Sequence, residues 1–201
     1  MVLTRGFAFT HAALRAWEAR FAPVSAERLR TKRRGRAGVS WYTDATCVKV
    51  HGRGCSLYRA RDRDGNLLDS LLSQARELEA AKRFFTQALA VEGSPPERGT
   101  TDGHEASPRA IRETLGSRVR PRCNRYLNSR LEQEQRGVKQ RSYPLPGVGG
   151  VESASRFGRA GEEVRQWFRA RSRMKQAESL SEERRLFLER FEALNAVVMA
   201  A

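Results

Sequence analysis

Hydrophobic and polar positions change their period several times along this chain. In residues 10–21 (THAALRAWEARF), Ala13, Leu14, Trp17 and Phe21 recur at helical spacing, with Arg15, Glu18 and Arg20 outside the stripe. Thr10 is a suitable N-cap, and Pro23 is expected to end the helix. This helix has the character of the second helix of a helix-turn-helix, although only nine residues precede it. From Val39 the pattern becomes that of strands. VSWYTDATCVKV (39–50) is rich in β-branched and aromatic residues. CSLYRARD (55–62) and LLDSLLS (67–73) follow, separated by the turn Asp64-Gly65-Asn66. The three segments predict an antiparallel meander.

A 3.6-residue period then returns. In LEAAKRFFTQALAV (78–91), Leu78, Ala81, Phe84, Phe85, Ala88 and Leu89 share one face. EGSPP (92–96) breaks this helix. ERGTTD (97–102) predicts a fourth strand ending at Asp102. PRAIRETLG (108–116) predicts a short helix closed by Gly116, and RVRPRC (118–123) a fifth strand. Further helices are expected over 125–141, 151–169 and 181–198, with a loop between the first two. The body therefore reads as an α/β layer of mixed strands and flanking helices.

Composition adds a partner. Hydrophobic residues are 39% of the 201, enough for a core, but 38 Lys and Arg face 23 Asp and Glu. The excess is +15 and the pI about 11.0, which points to a polyanion, most simply nucleic acid. Residues 28–36 (RLRTKRRGR) carry Arg28, Arg30, Lys32, Arg33, Arg34 and Arg36 without an acid. They are expected to form a flexible cationic linker suited to phosphate contact. Arg15 and Arg20 on the first helix, and Arg136, Lys139 and Arg141 further on, are candidates for the same role. Arg165, Arg169, Arg171, Arg173 and Lys175 surround Trp167 and Phe168. That mixture suits nucleic acid, but also a helix whose aromatics pack inward. Cys47, Cys55 and Cys123 form neither a zinc pattern nor a disulfide framework. The lack of a long apolar run or leader pattern leads to the expectation of a cytoplasmic protein.

Three acids stand out. Asp44 is mid-strand, where an acid is disfavoured unless something uses it. Asp102 ends a strand just before Gly103. Glu132 lies on a polar, largely cationic helical stripe with Arg136 and Lys139. Chemistry that needs such a set is metal-assisted phosphoryl transfer, in which two Mg²⁺ ions about 3.5–4 Å apart would clamp the attacking and leaving oxygens. Asp62, Asp64 and Asp69 compete for the first two places and Glu134 for the third. Each acid also has an ordinary structural explanation, as an edge acid, a turn former or half of a surface pair. His104 is either a loop residue or an aid to proton transfer.

The blocks WYTDATCVKVHG, LYRARDRDGNLLDSLLS, EAAKRFF, TTDGHEASPRAI, NRYLNSRLEQEQRGVKQR and ESASRF, in this order, strongly resemble transposases of the insertion sequence six family over about residues 6–190. The resemblance implies a ribonuclease-H-like catalytic core, compatible with the element order, preceded by a helix-turn-helix. It implies Asp44, Asp102 and Glu132 as both the catalytic and the metal-binding triad. It further implies cleavage at element ends and strand transfer into target DNA, with two Mg²⁺ ions (Mn²⁺ as substitute). Double-stranded DNA is the implied partner, and a homo-oligomer, expected to be a dimer, the working unit. The domains expected are a partial helix-turn-helix at 1–22, a basic linker at 23–38, the catalytic core at 39–170 and a helical extension at 171–201.

The chain departs from the family's pattern. Ala45 replaces the Glu after the first Asp, and Cys47 an aromatic or aliphatic residue. Glu134-Gln135 replace Asp-His. Gly158 and Gly161 stand where bulkier residues are usual, and Val148 and Val151 where Phe is. The first DNA-binding helix is absent from the pattern. A shortened copy with weakened turnover is therefore expected. The alternatives are a DNA-binding remnant without catalysis and a basic RNA-binding protein.

Overall fold

The computed structural model describes residues 2–4, 7–33, 35, 38–101, 106–123, 150–169 and 179–199. They form two compact units, one of residues 1–32 with 159–201 and one of residues 33–158.

The larger unit is built on a five-stranded mixed sheet. Its strands are β3 (Ser40–Val50), β4 (Arg53–Asp62), β5 (Leu67–Ser73), β6 (Arg98–Thr101) and β7 (Arg120–Cys123), in the order β5-β4-β3-β6-β7. β3, β4 and β5 are antiparallel, whereas β6 runs parallel to both β3 and β7. The sheet is thus an antiparallel meander extended by two parallel strands on the side of its first strand, the mixed α/β layer expected from the sequence. The β3–β4 hairpin closes on His51 and Gly52, with φ of 50° and 76°. Positive φ at both central residues matches the right-handed twist of the strands it joins. The two-residue turn sets the register, Val50 opposite Arg53 and Asp44 opposite Arg59.

One face of the sheet carries the core. Trp41, Tyr58, Ala60 and Leu68 pack with Phe84, Phe85 and Ala88 of α2 (Leu78–Glu92) and Ala110, Ile111 and Leu115 of α3 (Ala106–Leu115). The Tyr58 and Phe84 rings stack with centroids 5.7 Å apart. Gly99 sits at a close approach: a Cβ there would lie 3.0 Å from Ile111 Cδ1, which would have to shift. α2 ends at Gly93 in the left-handed conformation, its N–H donating to Leu89 O at 2.8 Å. The Asp62 carboxylate accepts from Gly38 N (3.1 Å), Asn66 N (2.8 Å) and Asn66 Nδ2 (2.8 Å), fixing the expected turn between β4 and β5.

The smaller unit holds a hairpin of β1 (Val2–Thr4) and β2 (Phe7–Phe9), then α1 (His11–Arg33, its last residue in the larger unit) and α5 (Leu180–Met199). Its remaining helix, α4 (Val151–Phe168), begins in the larger unit. Thr10 caps α1, as expected, by accepting from Ala13 N at 3.0 Å. Pro23 does not end the helix, which runs on to Arg33. A proline loses one backbone bond and crowds the preceding turn. The good helix formers of AERLRTKR and the burial of Ser25, Ala26 and Leu29 beyond it outweigh that cost. The basic stretch is thus helical as far as Arg33 rather than a flexible linker. Trp17, expected on the apolar stripe, is 46% exposed.

Candidate functional site

Asp44 occupies the middle of β3, whose alternation places it on the face opposite Trp41 and Ala45. Its side chain is nonetheless only 3% exposed. Its Oδ2 accepts from Thr46 Oγ1 at 3.1 Å and from Arg59 Nη2 at 3.4 Å. Arg59 is the directly opposed residue on β4 and is 1% exposed. Sequence reasoning missed it. The signal was present, because a two-residue turn at His51-Gly52 places 59 opposite 44. Starting the second strand at Cys55 conceals this pairing.

β6 lies parallel to β3, with Thr100 beside Tyr42 and Thr101 beside Thr43. The paired threonines each precede one of the candidate acids, Asp44 and Asp102. Both threonine hydroxyls are buried, without a hydrogen-bond partner among the described residues. Asp102, His104, Glu132 and Glu134 lie outside the described residues, as do Arg34, Arg36, Arg136, Lys139 and Arg141. Among the described residues no three His, Cys, Asp or Glu side chains gather for a metal.

The competing acids have other tasks. Asp62 holds the β4–β5 turn, and Asp69 Oδ1 accepts from Ser70 N at 2.9 Å. Asp64 is exposed within that turn. Asp44 is the acid of the meander that faces an arginine directly across the strands.

The described basic candidates divide. Arg15 and Lys32 are exposed, as is Arg20, whose guanidinium lies 5.4 Å from the centre of the Phe21 ring. Lys32 also stands over the Trp167 ring at 5.1 Å. Arg28 donates to Val197 O at 2.8 Å. Arg33 donates to Leu67 O (3.0 Å) and Leu68 O (2.7 Å) and pairs with Glu92 at 3.4 Å, so it serves the fold. Arg30 is half-buried. The indole of Trp167 donates to Arg190 O at 2.9 Å, so this aromatic packs within the helical unit.

Cys47 is exposed and free, so the loss of a larger side chain there opens no core cavity. α4 is continuous through Gly158 and Gly161. No helix among the described residues is long and apolar enough to cross a membrane.

A family model described as a DDE domain matches residues 38–171. The chain is 28% identical over 141 residues to a Staphylococcus aureus transposase for insertion sequence-like element IS431mec. It matches the Staphylococcus aureus transposase for insertion sequence element IS257 in transposon Tn4003 to the same degree. Each match covers 68% of this chain and 62% of the relative, so the chain spans less than two thirds of these proteins. Among solved structures, the HTLV-2 integrase catalytic core domain in complex with magnesium aligns at TM-score 0.46 and 13% identity, covering 74% of this chain and 94% of that one. The simian T-cell lymphotropic virus intasome in complex with PP2A regulatory subunit B56 gamma aligns at TM-score 0.46 and 16% identity, covering 67% and 49%.

Proposed function

Since this chain belongs to the DDE-domain transposases of the insertion sequence six family, we propose that it is a polynucleotidyl transferase that cleaves element ends and joins them to target DNA. The observation that carries this reading is the β3–β6 register. Thr43 and Thr101 are paired, and Asp44 and Asp102 are the residues that follow them. In the sequence each acid is thus one residue beyond a threonine of that pair.

Asp44, Asp102 and Glu132 are the residues proposed to hold divalent metal, Mg²⁺ with Mn²⁺ as substitute. The donor chemistry of Asp44 fits: it is a carboxylate set in a sheet, already polarised by a hydroxyl and a guanidinium. When bound, the metal would supply stabilisation for the charge that develops on attacking and leaving oxygens. The protein's own part is to fix the carboxylate. Burial and the Thr46 hydroxyl hold Asp44 in one orientation, which limits the motion that costs catalytic geometry.

The substrate proposed is duplex DNA, at element ends and target. The exposed Arg15, Arg20 and Lys32 are the described phosphate contacts, joined by Arg34, Arg36, Arg136, Lys139 and Arg141 from the sequence. The working unit proposed is a dimer, which the exposed Leu180, Phe187, Leu188 and Phe191 of α5 support as an apolar surface. Cytoplasmic action on the nucleoid completes the reading.

The test is a strand-transfer assay with duplexes carrying the element's terminal repeats. The expected result is joined product that requires Mg²⁺ or Mn²⁺ and is lost in Asp44→Asn. Metal-independent joining, or full activity in Asp44→Asn, overturns the reading. Salt-sensitive DNA binding without any joining identifies a remnant.

A further inference from the structure

We propose that Arg59 is the built-in counter-ion of Asp44: it holds the carboxylate in place when no metal is bound, and its charge limits how tightly metal is held. The inference rests on Asp44 being a metal ligand.

Arginine stays charged at every working pH, so a guanidinium with 1% exposure must face an anion. On the neighbouring strands its direct register partners are Asp44 on β3 and Ser70 on β5, and Asp44 is the acid. The pairing is reciprocal. The carboxylate is 3% exposed, so the cation facing it is poorly screened by water. At 3.4 Å the contact is longer than a strong charge-assisted hydrogen bond. It is an electrostatic pairing that leaves the carboxylate open to competition by a second cation.

Any divalent ion on Asp44 would sit within a few ångströms of that fixed positive charge. Buried charges are poorly screened, so the repulsion is felt in the affinity. Arg59 is thus a positioning residue whose charge weakens metal binding in the free protein. Anionic DNA phosphates arriving at the site would offset it. The Thr46 hydroxyl bond to the same oxygen keeps the carboxylate aimed while the cations exchange.

The test uses the full chain, with Mn²⁺ binding followed by the paramagnetic resonance of free Mn²⁺, and melting in EDTA. Arg59→Gln, checked for folding by circular dichroism, is expected to bind Mn²⁺ about tenfold more tightly than wild type, an order-of-magnitude figure for one nearby unit charge. Arg59→Lys, which keeps the charge, should stay within about threefold of wild type on the same grounds. In EDTA, Asp44→Asn should melt lower than wild type, because it removes the anion that a buried arginine faces at 3.4 Å. The double variant Asp44→Asn with Arg59→Gln should recover part of the loss. The melting comparison decides even if Arg59→Gln alone does not fold. Arg59→Gln affinity equal to or weaker than wild type, or an unchanged melt for Asp44→Asn, overturns the inference. Mn²⁺ binding that Asp44→Asn leaves intact overturns the metal-ligand reading beneath it.

Discussion

Single residues in this chain differ sharply in what a substitution would cost, and their surroundings decide it. Phe84 is fully buried, stacked on Tyr58 and tilted against Phe85 at 5.4 Å. Phe84→Ala removes a ring from the centre of the only layer joining α2 to the sheet in the described core. The expected loss is about 3–5 kcal/mol in urea unfolding. A loss below about 1 kcal/mol would mean that the layer can collapse around the gap. Gly161 is the opposite case. It is exposed within α4, and a Cβ there would meet nothing within 4 Å. Gly161→Ala is expected to raise stability by up to about 1 kcal/mol, through helix propensity alone. A fall in melting temperature would show that the glycine serves a purpose beyond the helix. The departures from the family pattern at Cys47 and Gly161 therefore fall on exposed positions and leave the described core intact.

At the scale of elements, α2 and α3 are joined on their outer side by charge as well as by Phe84, Phe85 and Ile111. Glu113 of α3 accepts from Lys82 of α2 at 2.7 Å and from Arg109 at 2.7 Å, while Lys82 also meets Glu79 at 2.9 Å. The Lys82 hydrogen bond, followed by that of Arg109, draws the Glu113 carboxyl down to about 2. A carboxyl depressed in the folded state contributes stability that is complete above its unfolded value, near 4.5, and lost as pH falls toward 2. Wild type should therefore melt above Glu113→Gln at pH 6, and the two curves should converge between pH 4.5 and 2. The group is exposed, so the gap is expected to be small and to shrink with salt. A gap that persists at pH 2 would place the effect in packing. The strands and helices of this unit were legible in the sequence because their apolar positions alternate or recur without interruption, as in LEAAKRFFTQALAV. α1 was not fully legible. Its proline is a local signal, whereas the burial of Ala26 and Leu29 that carries the helix past it is tertiary. The hairpin β1–β2 was missed because two three-residue strands are too short to show a period. Asp44 was legible as an acid out of place, but its partner Arg59 required the register that the turn sets.

For the whole molecule, the decisive quantity is where charge is left after folding. Six acids are buried among the described residues (Asp44, Asp62, Asp69, Glu92, Glu162 and Glu163) against two basic side chains, Arg59 and Arg61. Among the described residues, folding thus draws more acids than bases inward, so their exposed surface is more cationic than their composition alone implies. Binding of the proposed duplex DNA substrate by such a surface would release counterions, so affinity should fall linearly in a plot of log K against log salt. Each phosphate contact adds about 0.9 to that slope. Arg15, Arg20 and Lys32 are exposed, whereas Arg33 is bound to Leu67 O, Leu68 O and Glu92. Replacing the first three together by Gln should lower the slope by up to about 2.7 without changing the melting temperature by more than a degree or two. Replacing Arg33 by Gln should do the reverse, leaving the slope within error and lowering the melting temperature, because it removes the bonds to Leu67 O and Leu68 O and the pairing with the buried Glu92. Fluorescence-anisotropy titrations of a labelled duplex between 50 and 200 mM salt, beside thermal melts of the same preparations, separate the two. A slope that drops for Arg33→Gln and holds for the triple variant would reverse the assignment. The phosphate track would then lie on the larger unit, and the exposed cations of α1 would be mere solvated charge.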